Sequence, residues 1–304
     1  MKRAAIAIGS NSTRMLAAET TGGALRNPIR GREETRLFLG LDEAGNISPE
    51  KLEDTAQAVK RLYLNALAYG AETVDLFATS AIRDAGNSAD FASRIRELTG
   101  LELRIISGEE EARLAFAAVS EGKRRLVMDI GGGSTEWTVG ENNRAEWAVS
   151  MQLGASRLLK MQPMKSPEDA EKARKICHEI MAPYAERLAE IPSAPAMIGL
   201  GGTCTTAAAI TMGREAHGEA VEGRIVTRQT AMEQLAQLSS MTLEERMRVP
   251  GLPPARAQHY PHGLCILITA MELCGFDEIT ISGKINLDGY LTMIGKEDGT
   301  WRKN

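Results

Sequence analysis

One short pattern occurs twice in this chain. AIGSNSTR at 7–14 and DIGGGSTE at 129–136 carry Ile, Gly, Ser and Thr at the same four of eight places, each after an apolar, strand-like run. A strand that ends in a turn of glycine and hydroxyl side chains presents backbone N–H and O–H donors, an arrangement suited to an anion. One copy opens each half of the 304-residue chain, which is long enough for two cores. The repeat therefore restricts the fold to two similar units, each with its own sheet; the alternative is chance recurrence of a short Gly/Ser turn. Two such turns are expected to close like jaws on a phosphate chain between them.

The rest of the sequence supports an α/β protein with mixed sheets, because strand-like and helix-like segments alternate throughout. In the first half the expected strands are 3–9, a hairpin-like stretch to about 40, 73–80 and 101–107. Helices are expected at 49–69, opened by Ser48-Pro49 and closed by Gly70, at 88–99 and at 108–119. The charged stretch SEGKRR (120–125) reads as a linker, dividing the chain into 1–121 and 122–304. The pattern then restarts: strands over 126–140 and 145–151, a long helix from Ser166-Pro167, and a strand at 196–203. Helices from 205, at 228–239 and at 255–273, a strand at 278–282 and a closing helix follow.

Composition narrows the functions. Hydrophobic residues at 43% and charged residues at 25% describe a globular chain rather than a disordered one. The formal charge of −4 argues against a general nucleic-acid or anionic-membrane binder, so a polyanionic ligand would need a local cluster of arginines. The longest apolar run, 263–276, is too short to span a bilayer and contains Glu272. The apolar run behind Lys2-Arg3 ends after five residues, too soon for an export signal. Four cysteines without C-x-x-C spacing fit buried, reduced thiols in a cytoplasmic protein.

Several residues are placed to do chemistry. Asp129 ends a buried strand, where an ionised carboxylate needs a partner or a metal. Gly131, Gly132 and Gly133 let a ligand approach the backbone, with Ser134 adding a hydroxyl. Glu136 on the returning strand can face the same place. Two carboxylates beside phosphate-binding donors suit Mg²⁺, which shares its shell with phosphate and water; a hairpin in which Asp129 caps backbone N–H groups is the alternative. In ISGEEEARLAF (106–116), Ser107 and Glu110 fit a capping box and Glu109 complements the helix dipole. Glu111 is then left to orient or deprotonate a water, unless all three glutamates serve the dipole. In ATSAIRDAGN (78–87), Arg83 can grip phosphoryl oxygens or pair with Asp84 on the surface. GLGGT (199–203), with Gly201, Gly202 and Thr203 opening a helix, is either an anion-ready helix end or a tight packing turn. His259 and His262 read as a surface turn, with a zinc pair as the alternative. Trp137, Trp147 and Trp301 fit core or interface packing.

Taken in order, IGSNSTR, ATSAIRDAGN, ISGEEEARLAF, DIGGGSTE and GLGGT resemble the Ppx/GppA phosphatase family of exopolyphosphatases and guanosine pentaphosphate phosphohydrolases. The resemblance covers essentially the whole chain. It implies two similar actin-like (ribonuclease H-like) domains, mixed sheets flanked by helices, with the active site in the interdomain cleft. It also implies the short two-domain form, without the added C-terminal helical domains of longer relatives. Ser10, Asn11 and Ser12 then match the first phosphate loop and Gly131 to Ser134 the second. Arg83 matches the phosphate-gripping arginine, Glu111 the water-activating residue, and Asp129 and Glu136 the ligands of Mg²⁺ or Mn²⁺. The implied partner is a polyphosphate or guanosine polyphosphate substrate, with no nucleic acid and no membrane; a homodimer is compatible with it. Two positions depart from the pattern, and RAQHYPHG (256–263) is more polar than the apolar run common there. Ala7 stands where the first loop usually has aspartate, and Leu287 where relatives often have arginine. These favour the alternative of a weak or inactive regulatory protein that binds polyphosphate or guanosine polyphosphates, whereas Glu111, Arg83, Asp129 and Glu136 favour an enzyme.

Overall fold

The computed structural model describes residues 1–42 and 44–296, and within these the chain forms two compact units. The first unit begins with strands β1 (Lys2–Ile8), β2 (Thr13–Thr21) and β3 (Ala24–Glu33), an antiparallel meander whose second turn is Gly22-Gly23. Helix α1 (Pro49–Tyr69) follows, capped by the Ser48 side chain and ended by Gly70 in the left-handed conformation. Then come β4 (Thr73–Ala78), a four-residue helix α2 (Ser80–Arg83), α3 (Ser88–Thr99), β5 (Arg104–Ile105) and α4 (Gly108–Val119). The sheet order is β3-β2-β1-β4-β5, with β4 parallel to β1 and β5 parallel to β4. β1 sits at the centre and is apolar from Ala4 to Ile8, as a strand covered on both faces must be. Ala4, Ile6 and Ile8 enter one core with Val59, Leu62 and Phe91 from α1 and α3.

The second unit repeats this plan. Strands β6 (Arg125–Ile130), β7 (Thr135–Glu141) and β8 (Arg144–Met151) form the same meander. Helices α5 (Ala155–Met161) and α6 (Pro167–Ala189) lead to β9 (Met197–Leu200), parallel to β6, and to α7 (Gly201–Thr211). After β10 (Ile225–Thr227) come α8 (Arg228–Ser239), α9 (Leu243–Arg246), α10 (Tyr260–Cys274) and β11 (Glu278–Ile281), which is parallel to β9. The order β10-β11-β9-β6-β7-β8 places β8-β7-β6-β9-β11 as β3-β2-β1-β4-β5 are placed in the first unit. Its core gathers Trp137, Tyr260 and most of α10, with Trp147 packed against it. Trp301 lies outside the described residues.

The division differs from the expected 1–121 and 122–304. The units are Met1–Ala118 together with the chain from Asn286 onward, and Val119–Ile285. Helix α11 (Asn286–Gly295) belongs to the first unit because its apolar face buries Leu287, Tyr290 and Leu291 there. Tyr290 meets the Phe77 ring at 5.3 Å, and Arg30 holds Asp288 through two hydrogen bonds of 2.6 and 3.0 Å. Burying three such side chains contributes on the order of 5 kcal/mol, enough to draw the last helix back to the first sheet.

Smaller expectations also shift. The strand expected at 101–107 pairs with β4 only at Arg104 and Ile105. α5 was not foreseen, and α7 starts at Gly201 instead of 205. HYPH is no surface turn: α10 starts at Tyr260 and buries His262 completely, its Nε2 2.8 Å from the Gln162 carbonyl oxygen. No helix among the described residues is long and apolar enough to cross a membrane.

Candidate active site

In each unit the residues singled out by sequence gather at the carboxyl ends of the parallel strands, where open α/β sheets place ligands. In the first unit, β1 ends at Ile8 and runs into the Gly9–Ser12 turn, closed by the Gly9 N–H donating to the Ser12 carbonyl at 3.1 Å. Ser10 and Ser12 are buried. The loop after β3 supports this turn, since the Arg36 and Phe38 N–H groups donate to the Asn11 and Ser10 carbonyls, each at 2.9 Å. Next to it the Thr79 N–H donates to Ile8, and the Ile106 N–H to Ala78, so α2 and the start of α4 follow side by side.

The three glutamates of α4 divide their work. Glu110 forms the expected capping box: its carboxylate accepts from the Ser107 N–H at 2.9 Å, and its own N–H donates to Ser107 Oγ at 3.1 Å. Glu110 also pairs with Arg104. Glu109 pairs with Arg113 one turn on, at 3.3 Å. Glu111 points elsewhere, is 8% exposed, and lies 3.5 Å from Arg83 Nη1. Arg83 Nη1 also donates to the Ile106 carbonyl at 2.9 Å, while its buried Nη2 has no hydrogen-bond partner. A buried guanidinium nitrogen left with a donor to give is a ready contact for an oxyanion.

The second unit builds its turn the same way, with the Gly131 N–H donating to the Ser134 carbonyl at 3.0 Å. Helix α5 then orients it. The N–H groups of Ala155, Ser156 and Arg157 donate to the carbonyls of Gly131 and Gly132 at 2.8–3.0 Å, and Arg157 Nε donates to the Gly133 carbonyl at 2.7 Å. A trans peptide sets its C=O and N–H in opposite directions. With the carbonyls drawn toward α5, the N–H groups of Gly132, Gly133 and Ser134 face the other way, as an anion cradle requires. Gly154 permits this approach, since a Cβ there would stand 2.5 Å from the Gly132 backbone. Arg157 and Gly154 were missed by sequence reasoning; a seven-residue helix without a side-chain cap carries little local signal.

Behind this turn Asp129 and Glu136 are direct partners in the β6–β7 ladder. Glu136 is almost fully buried and accepts a 2.7 Å hydrogen bond from Ser150 Oγ. Gly201, at φ +83°, begins α7 against the same carboxylate; a Cβ there would collide with Asp129 Oδ1 and with the Ile130 carbonyl. Gly201-Gly202 is thus a tight packing turn and also brings a helix start to Asp129. Arg256, the first residue of the polar stretch 256–263, reaches the Gly202 carbonyl and Thr206 Oγ1, and Thr203 packs buried against Gly263. Burial pushes the nearby Cys204 thiol upward, and the Asp129 charge adds to the effect. Among the described residues no group of three or more metal-binding side chains occurs. Two adjacent carboxylates at a phosphate-type turn nevertheless fit Mg²⁺ or Mn²⁺, which bind through one or two carboxylates plus substrate oxygens. They do not form a closed all-protein cage.

The turns, their ladders and the sheet order describe one architecture used twice. Solved structures share it. A Ppx/GppA family member from Aquifex aeolicus is 26% identical, with 99% of each chain covered and a TM-score of 0.83. An exopolyphosphatase-like protein is 25% identical over 97% of this chain and 99% of its own, with a TM-score of 0.87. An exopolyphosphatase from Cytophaga hutchinsonii is 23% identical over 97% and 98%, with a TM-score of 0.88. The model of the Ppx/GppA phosphatase family matches residues 17–292. This chain belongs to the Ppx/GppA phosphatase family, in its two-unit actin-like fold.

Proposed function

We propose that the protein is a cytoplasmic hydrolase that releases the terminal phosphate of linear inorganic polyphosphate, with guanosine pentaphosphate as a second substrate of the same bond type. The observation that carries this reading is the partly buried Arg83–Glu111 pair beside the Gly9–Ser12 turn, an anion grip and a carboxylate held together at one place. Arg83 Nη2 and the turn donors bind the oxygens of the terminal phosphoryl group and offset the charge that builds on it. Glu111 accepts a hydrogen bond from a water and holds it in line with the bridging oxygen. The water oxygen forms the new P–O bond, its proton passes to Glu111, and the bridging P–O bond breaks toward the remaining chain. Asp129 and Glu136 hold a divalent cation, Mg²⁺ or Mn²⁺, whose contribution when bound is to neutralise charge on phosphate oxygens. The N–H groups of Gly132, Gly133 and Ser134, turned away from α5, bind further phosphate oxygens. The four free cysteines accord with a reducing compartment.

A second reading, a binding and regulatory protein with little turnover, is favoured by Ala7. Phosphate release from polyphosphates of several lengths, guanosine pentaphosphate and ATP, each with Mg²⁺, Mn²⁺ or EDTA, separates the two. Release from polyphosphate that needs the cation is expected. Tight binding without release would establish the second reading, and preferential release from ATP would overturn both.

A further inference from the structure

The two turns share a backbone but not a charge. Register places Ala7 opposite Arg14 in β1–β2 where it places Asp129 opposite Glu136 in β6–β7. Direct partners in an antiparallel ladder project from the same face of the sheet. The second turn is therefore backed by two carboxylates and repels a phosphate unless a cation intervenes. The first is backed by a methyl group and a guanidinium. Arg14 Nε donates to Ser12 Oγ at 3.2 Å, which holds that guanidinium against the turn. Ala7 is 5% exposed and brings no charge of its own to this place.

More arginines converge on the same turn. Arg32 is the direct partner of Arg14 in β2–β3, and Arg36 binds Asn11 through its backbone from a left-handed conformation. Arg83 adds the buried, unpartnered Nη2 from α2. Glu34 pairs with Arg32 and offsets part of this charge. A chain of net charge −4 thus sets the Arg14 and Arg83 guanidinium groups beside this one turn.

We propose that the Gly9–Ser12 turn is a metal-independent oxyanion site, which takes one phosphate group of a polyphosphate without a divalent cation, and that alanine at position 7 makes it so. It rests on the reading of polyphosphate as ligand, but not on turnover. An aspartate at position 7 would face Arg14 directly, pair with it, and add a negative charge beside the bound phosphate.

The test is calorimetric binding of inorganic tripolyphosphate to the full chain at fixed ionic strength, in excess EDTA and again in Mg²⁺. The parent should bind in EDTA. Ala7→Asp should lose about tenfold or more in EDTA and recover in Mg²⁺, since one opposed charge near a bound anion is worth at least that. Ala7→Ser, which adds an oxygen without a charge, should keep more of the affinity in EDTA than Ala7→Asp. Should Ala7→Asp fail to fold, Arg14→Gln gives the same test, with a loss of about tenfold or more expected in EDTA. A parent that binds only with Mg²⁺, or an Arg14→Gln or Ala7→Asp variant that binds in EDTA as the parent does, would overturn the proposal. Binding in EDTA without hydrolysis in Mg²⁺ would uphold it and remove the hydrolase reading. Hydrolysis in Mg²⁺ without binding in EDTA would do the reverse.

Discussion

Glu110 and Glu111 are neighbours of identical chemistry with opposite assignments, so replacing each by glutamine isolates the role of the carboxylate proposed to activate water. Glu110→Gln weakens the Ser107 cap and the partly exposed Arg104 pair. Loss of a cap and of such a pair costs on the order of 1 kcal/mol. Glu111→Gln removes its ion pair with Arg83, whose side chains are 20% and 11% exposed, and costs a similar ~1 kcal/mol. Both variants should therefore melt about 2–4 °C below the parent. Activity should separate them. Glutamine cannot accept the proton, so Glu111→Gln should lower kcat by roughly 10²–10⁴ while binding of tripolyphosphate stays near that of the parent. Glu110→Gln should retain kcat within about threefold, because a loosened cap leaves the reacting groups in place. Steady-state phosphate release and calorimetric binding on both variants provide the comparison. If Glu110→Gln is the inactive one, or if Glu111→Gln turns over normally, the division of labour along α4 is wrong.

Three further outcomes are expected. Gly201→Ala forces a side chain onto φ +83° and into Asp129 Oδ1, so it should cost about 2 kcal/mol or more and raise the Mg²⁺ needed for half-maximal rate. Gly213→Ala, strained at φ +65° but with open space around it, should cost only about 1 kcal/mol and leave the Mg²⁺ requirement alone. Burial of His262 lowers its pKa from 6.5 to about 4. The unfolded chain therefore binds the extra proton, and stability present above pH 6.5 falls as pH drops toward 4, by roughly 3 kcal/mol in all. Urea unfolding of parent and His262→Gln across that window should show a steeper slope in the parent; equal slopes would contradict a buried neutral imidazole. In hydrogen exchange, polyphosphate should protect amides at 9–13 and at 131–135, and protection at only one turn would sink the expectation that both engage substrate.

Much of the site was legible because its determinants are local. A strand running into Gly-x-x-Ser closes the same N–H to carbonyl bond at Gly9–Ser12 and at Gly131–Ser134, whatever surrounds it. The Ser107–Glu110 cap depends on residues three apart in one helix turn, and α1 starts and stops at its Ser-Pro and Gly signals. Other features depend on partners far along the chain, and no local pattern announces them. Leu287, Tyr290 and Leu291 mark α11 as amphipathic but do not say which sheet it covers; burial against the first unit decides that. α5 is short and lacks a side-chain cap, and its purpose emerges only when its N–H groups meet the carbonyls of a glycine turn more than 20 residues earlier. Spacing left Glu111 as one of three possible dipole partners, and it becomes distinct only where β4 and α4 bring Arg83 within 3.5 Å. Composition reported a mildly acidic chain, yet strand register gathers Arg14 and Arg32 at the first turn and sets Asp129 against Glu136 at the second. Dihedral preferences and capping act over a few residues and can be read in sequence. Burial and charge act through space, so which side chains they join is decided only when the sheets are assembled.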